Sequence, residues 1–188
     1  MVNNITIITY LEPLLYNPDW IHLSELSRML KIPHPTLRQH LNLFEKKGIV
    51  RKQIKGRLTN YKINYDNPLI IDYLVMIEKN KLINKCNKDL LLKEVTSFLH
   101  GFNGFNNPLL IFGSAVNNIK TANDIDILLI GDYNKQSFND FQNKFGIKFH
   151  VISLKHLSDV KSTLKKEIIE KHLIISDSEE IIQWMLKN

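Results

Sequence analysis

A chain of 188 residues that is 44% apolar has enough length and core material for one ordinary domain or two small ones, which excludes a disordered tail. Its most apolar stretches, such as residues 68–80, carry charges and are too short to span a bilayer, and no N-terminal stretch has the form of a cleaved leader, so the expectation is a soluble cytoplasmic protein with no membrane partner. The lone cysteine, Cys86, excludes an intramolecular disulfide or a cysteine metal cluster, and the net charge of +6 is uneven: up to Asn67 ten Lys/Arg stand against five Asp/Glu, and seven of those cations fall between Lys46 and Lys62. That clustering points to a polyanion partner for this segment alone.

In chain order, Ile5, Ile8, Leu11 and Leu15 have the spacing of one buried helical face and predict a first helix. Leu23, Leu26, Met29 and Leu30 form a second apolar face, interrupted at Ile32-Pro33, and Leu37, Leu41 and Phe44 resume it. Pro35 suits a first helical turn and Gly48 the left-handed position after the last one, although His34 stands where a Ser or Thr cap is expected. Val50 and Ile54, then Tyr61 and Ile63, flank a break at Gly56 and predict a β-hairpin whose tip carries Lys55 and Arg57.

Residues 3 to 65 resemble the winged helix-turn-helix family of prokaryotic transcription regulators, most specifically in the run Glu25-Leu26, Met29-Leu30, Ile32-Pro33, Thr36 to Leu41 and Phe44 to Val50. The resemblance implies double-stranded DNA as partner. It lays the second helix of the motif, residues 35–47, in the major groove with Thr36, Arg38, Gln39 and Asn42 outward, and sets Arg51, Lys52, Lys55 and Arg57 of the hairpin on phosphates. The chemistry agrees, since amide and guanidinium groups read base edges while lysines on a tip add charge without sequence information. Winged helices also serve as protein-docking modules, and that alternative stays open.

After Asp66-Asn67-Pro68, residues 69–85 and 89–102 both have helical patterns. Ile70, Leu74 and Ile77, with Ile71 and Val75 beside them, make a broad apolar surface, either a seam between two copies of the chain or packing within its own domain. The stretch His100 to Pro108, with two glycines and a proline, marks the next boundary. The organisation expected is a DNA-binding domain over 1–67, a helical linker over 68–100 and a second domain over 101–188.

In that second domain, residues 108–112 and 124–130 read as strands, 135–145 as a helix, 147–153 as a third strand, and the tail as a short strand, a turn capped by Ser176 or Ser178 and a final helix bearing Ile181, Ile182 and Met185. The fold class is therefore α+β: a winged helix-turn-helix, a helical linker and a small α/β domain with a mixed sheet. Gly113-Ser114, nine intervening residues and Asp124-Ile125-Asp126 follow a strand in the pattern of the DNA polymerase β-like nucleotidyltransferase superfamily, which the domain resembles over roughly residues 90 to 188.

The chemistry explains the pattern. Residues two apart on a strand share a face, so Asp124 and Asp126 can hold magnesium, or manganese, against the phosphates of a nucleoside triphosphate. Gly113 lets the backbone approach those phosphates, and Ser114 offers its hydroxyl and amide at a helix start. The nucleotide is then a substrate or a ligand. Catalytic members usually carry a third carboxylate on the next strand; here that position is His150, and no Asp or Glu occurs between Asp140 and Asp159. An imidazole can serve as general base but is a poor magnesium ligand. Active members often have Ala-Arg-Gly after the Gly-Ser turn, where this chain has Val116-Asn117-Asn118, and the loss removes a phosphate clamp. Two readings result: a DNA-binding regulator that keeps a nucleotide and metal cradle with weak or lost chemistry, or an active nucleotidyltransferase modifying a protein or RNA acceptor and regulated through its winged helix. The second resembles the minimal nucleotidyltransferases paired with helical toxins in prokaryotic toxin-antitoxin modules.

Overall fold

The computed structural model describes residues 9–103 and 107–187, and divides into two compact units, Met1–Asn80 and Lys81–Asn188. Among the described residues the architecture is α+β, with seven α-helices and two sheets. No described helix is long and apolar enough to cross a membrane.

The first element among the described residues is a 3-10 turn, Thr9–Leu14, where the described part of the expected helix falls. Pro13 inside it cannot donate a backbone N–H, which limits the helix to a short piece, and Leu11 and Leu14 are buried while Leu15 is only half-buried. Ile5 and Ile8 lie outside the described residues. Strand β1 (Ile21–His22) leads directly into α1 (Leu23–Leu30), where the His22 ring accepts the Ser24 N–H at 3.2 Å and caps the helix. A two-residue strand is too short to carry a periodicity, so no sequence pattern predicts it.

Leu23 and Leu26 of α1 are buried, but Met29 is 56% exposed. At about 100° per residue it stands roughly 120° around the helix from Leu23, off the core face. The turn that follows is closed by Ser27, whose hydroxyl donates to the Ile32 carbonyl at 2.6 Å. Helix α2 (His34–Lys46) then starts with Pro35 in its first turn and no side-chain cap. It buries Leu37, Leu41 and Phe44, each Leu contributing about 1.5–3 kcal/mol by its burial. Strands β2 (Val50–Lys55) and β3 (Leu58–Ile63) form the hairpin, and β1 adds to β3, giving an antiparallel sheet ordered β1-β3-β2. Val50, Tyr61 and Ile63 reach the core, whereas Ile54 lies beyond it near the tip and is 66% exposed.

Helix α3 (Ile70–Cys86) contains the division between the units. Its stripe Ile70, Leu74 and Ile77 is buried within the chain, so these side chains are not available as the seam between two copies that the sequence allowed. Helix α4 (Leu90–Asn103) contributes Leu92, Val95 and Leu99 to the core of the second unit, so residues expected as linker are part of that unit's packing. Of the glycine-rich boundary, residues 104–106 lie outside the described residues.

The second unit continues through β4 (Leu109–Phe112), β5 (Ile125–Ile130), α5 (Lys135–Phe145), β6 (Phe149–Leu154), α6 (Ser162–Glu170), β7 (His172–Ser176) and α7 (Ser178–Leu186). Its sheet is ordered β6-β5-β4-β7, with β5 and β6 parallel and the other pairs antiparallel, the mixed sheet expected. Every residue of β4 and β7 is buried, the apolar runs Leu109–Phe112 and Leu173–Ile175 together with the polar His172 and Ser176 that flank the second. Helix α6 is an element beyond those the sequence pattern predicts. Nor is α7 capped by serine: Asp177 occupies the cap position in a left-handed conformation without a capping side-chain bond, and Ser176 donates instead to the Asn107 carbonyl at 2.6 Å. Ile181, Ile182 and Met185 are buried as expected.

Candidate functional site

On the first unit, α2 turns Leu37, Leu41 and Phe44 inward and leaves Thr36, Arg38 and Gln39 exposed on its other side. The two-residue turn at Gly56 and Arg57 leaves Lys55 and Arg57 exposed at the hairpin tip. The other three DNA-binding candidates have partners within the unit. Lys52 shares a sheet face with Tyr61 and Val50 and donates to Asn42 Oδ1 at 3.2 Å, with Glu45 Oε2 at 3.5 Å. Arg51, on the opposite face, donates to Asn64 Oδ1 at 2.8 Å and pairs with Asp66. Cross-strand register thus separates cations that the sequence makes look equivalent.

On the second unit, Asp124 immediately precedes β5 and Asp126 lies within it, so both carboxylates share one side of the strand. The parallel register sets His150 of β6 opposite Asp126. Ligand atoms of Asp124, Asp126 and His150 all lie within 4.8 Å of one another. His150 Nδ1 is 2.8 Å from Asp126 Oδ1, and its side chain is 60% exposed.

Antiparallel pairing of β4 with β5 puts Phe112 opposite Asp126, so Gly113 follows directly beside that carboxylate. Gly113 has φ +73°, and a Cβ there would stand 2.7 Å from Asp126 Oδ2. Only glycine fits both the backbone and the space. Its N–H donates to the Lys171 carbonyl at 3.2 Å, and Ser114, next in the chain, is exposed. The helix expected after this turn is a four-residue 3-10 turn, Gly113–Val116, too short to build a substantial dipole.

The acidic residue that sequence reasoning misses is Glu167. Its Oε1 lies 3.8 Å from the position a Gly113 Cβ would take, so two carboxylates flank the same glycine. It comes from α6, while the strand pattern directs attention for a third carboxylate to β6 and its surroundings. An exposed Glu four residues before the Lys171 carbonyl that anchors Gly113 is a signal only once the β4–β7 pairing is known.

The donor set fits a divalent cation. Two carboxylates supply the hard oxygens that magnesium prefers, and the nearby imidazole tilts the set toward manganese. Gly113 keeps open the space beside Asp126 that a side chain would fill.

No family model matches the chain, and no curated protein matches it. Among solved structures it is similar to TrmBL2, an archaeal chromatin protein whose structure is described as showing a novel mode of DNA binding, with 15% identity, 87% of this chain and 68% of that chain covered, and a TM-score of 0.29.

Proposed function

We propose that the protein is a DNA-binding regulator whose second unit holds a nucleotide with magnesium or manganese. The observation that carries it is the exposed set on the first unit: Thr36, Arg38 and Gln39 on one side of α2, with Lys55 and Arg57 at the hairpin tip. The side chains on α2 suit base edges, and the tip cations suit phosphates. Asn42, Arg51 and Lys52 act behind this surface, tying the hairpin to α2 and to the chain after β3.

In the second unit, Asp124 and Asp126 hold the cation, which when bound neutralises and orients nucleotide phosphates. Glu167 makes the edge of the cradle acidic, so a phosphate enters only with a cation. Ser114 offers the neutral donors. Selection of duplexes from a random library, with and without nucleoside triphosphate and manganese, tests this reading. Enrichment of a sequence, with affinity that changes when nucleotide is present, supports it; failure to retain any duplex sinks it.

The hydrogen bond from His150 to Asp126 favours a second reading, an active nucleotidyltransferase acting on a protein or RNA acceptor. Asp126 orients the ring so that Nε2 takes the proton of an acceptor hydroxyl. The oxygen then bonds the α-phosphorus as the bond to the departing pyrophosphate breaks. Incubation of cell extract with each α-labelled nucleoside triphosphate and manganese tests it, with the Asp124→Asn, Asp126→Asn protein as control. Label transferred by the native chain alone supports the enzyme; no transfer leaves the regulator.

A further inference from the structure

The second unit contains a cavity of about 350 Å³ whose lining includes Asp124, a member of the ligand cluster. Cavities of about 140 and 60 Å³ elsewhere in the unit include no residue of that cluster. Small-molecule sites span roughly 300–1,000 Å³, so the larger cavity is at the low end of that range, suited to a compact ring system rather than to a whole nucleoside triphosphate.

The lining is of mixed chemistry. Leu91, Ile119, Ala122, Ile125, Phe145 and Ile147 are apolar, with Phe145 the one aromatic residue, its ring stacked on Phe141 at 4.5 Å between centroids. Lys120 and Lys148 add positive charge to a lining that also includes Asp124. Asn123 is the one neutral polar side chain in that lining, and its amide both donates and accepts. A nucleotide carries the matching mixture, a flat, weakly polar base on a ribose together with anionic phosphates.

We propose that this cavity holds the nucleoside moiety of the nucleotide, with the phosphates leaving it past Asp124 toward Ser114. The inference rests on the proposed nucleotide and metal reading of the cluster, and adds to it the place where the base is bound. Ala122, Phe145 and Ile147 exclude water from the base, Asn123 bonds its edge, and Lys120 and Lys148 attract the phosphate-bearing end of the ligand. A group on the protein or RNA acceptor is the rival occupant.

Calorimetric titration with manganese and each nucleoside triphosphate, beside inorganic tripolyphosphate, tests the assignment, with bound manganese followed separately by electron paramagnetic resonance. Native protein is expected to bind at least one nucleoside triphosphate tenfold or more above tripolyphosphate. Ala122→Trp, which fills the cavity, is expected to remove that preference while leaving manganese and tripolyphosphate affinity unchanged. Asn123→Trp, at an exposed position, gives the same blockade should Ala122→Trp fail to fold. Equal binding of nucleotides and tripolyphosphate by the native chain, or nucleotide affinity that survives a folded blocking variant, overturns the cavity assignment with the metal site intact. Native protein that binds neither manganese nor nucleotide overturns the underlying reading instead.

Discussion

Thr36, Arg38 and Gln39 project from a single helix within four residues, whereas Asp126, His150 and Glu167 reach their neighbourhood from two strands and a helix. The first arrangement is a by-product of amphipathic folding: once Leu37, Leu41 and Phe44 turn inward, the residues between them are left on the surface. The second requires the β5–β6 pairing before Asp126 meets His150, and the β4–β5 pairing with the return of the chain along α6 before Glu167 joins them beside Gly113. A surface built locally tolerates substitution of its members, since none of them holds the fold. A site built from distant segments ties function to backbone geometry, most tightly at Gly113.

The largest expected effect follows from that difference. Asp124→Asn with Asp126→Asn removes both hard charged ligands and is expected to lower manganese affinity by more than about 100-fold, since even outer-shell changes cost 10–100-fold. Duplex DNA affinity is expected to stay within about twofold. Spin-resonance titration and fluorescence anisotropy on the same preparations separate the two sites, and a parallel loss of DNA binding would contradict their separate construction.

Glycine replacements come next. Gly113→Ala and Gly56→Ala both force a left-handed conformation, which costs an ordinary residue about 1–2 kcal/mol. Gly56 has no neighbour within 4 Å of a built Cβ, whereas Gly113 meets Asp126 Oδ2 at 2.7 Å. Gly113→Ala is therefore expected to destabilise by about 3 kcal/mol and Gly56→Ala by about 1 kcal/mol in denaturant unfolding. Equal losses would mean that Asp126 yields freely to the added methyl.

On the proposed DNA-binding surface, Arg38→Ala is expected to cost about 1–3 kcal/mol on a selected duplex and far less on random sequence, the mark of a base contact. A uniform loss on both would reassign Arg38 to phosphate. The smallest effect belongs to Arg51→Ala, because its guanidinium is engaged by Asn64 and Asp66. An exposed ion pair contributes about 0.2–1 kcal/mol, so stability is expected to fall within that range while the salt dependence of DNA binding hardly changes.

Local pattern makes much of this molecule legible. The positions of α2, the hairpin, the Gly113-Ser114 turn and the Asp124–Asp126 segment follow from apolar spacing and from turn residues that tolerate left-handed backbone. Three features do not follow, each for a physical reason. Met29 sits at helical spacing from Leu26 but rotates off a short helix's core face. The tasks of Arg51 and Lys52 depend on which face of the hairpin each occupies and on Asp66, Asn64 and Asn42 arriving there. Glu167 acquires its place only through the pairing of β4 with β7, which no window of sequence around either residue contains.

The most direct measurement is anisotropy of a random-sequence duplex titrated with native protein and with the Lys55→Ala, Arg57→Ala protein across a range of salt. A DNA-binding surface formed by α2 and the hairpin tip predicts affinity that falls steeply with salt, and a log–log slope shallower by about two in the variant, one for each phosphate left without its cation. Salt-insensitive binding, or a slope that the double substitution leaves unchanged, would contradict that surface.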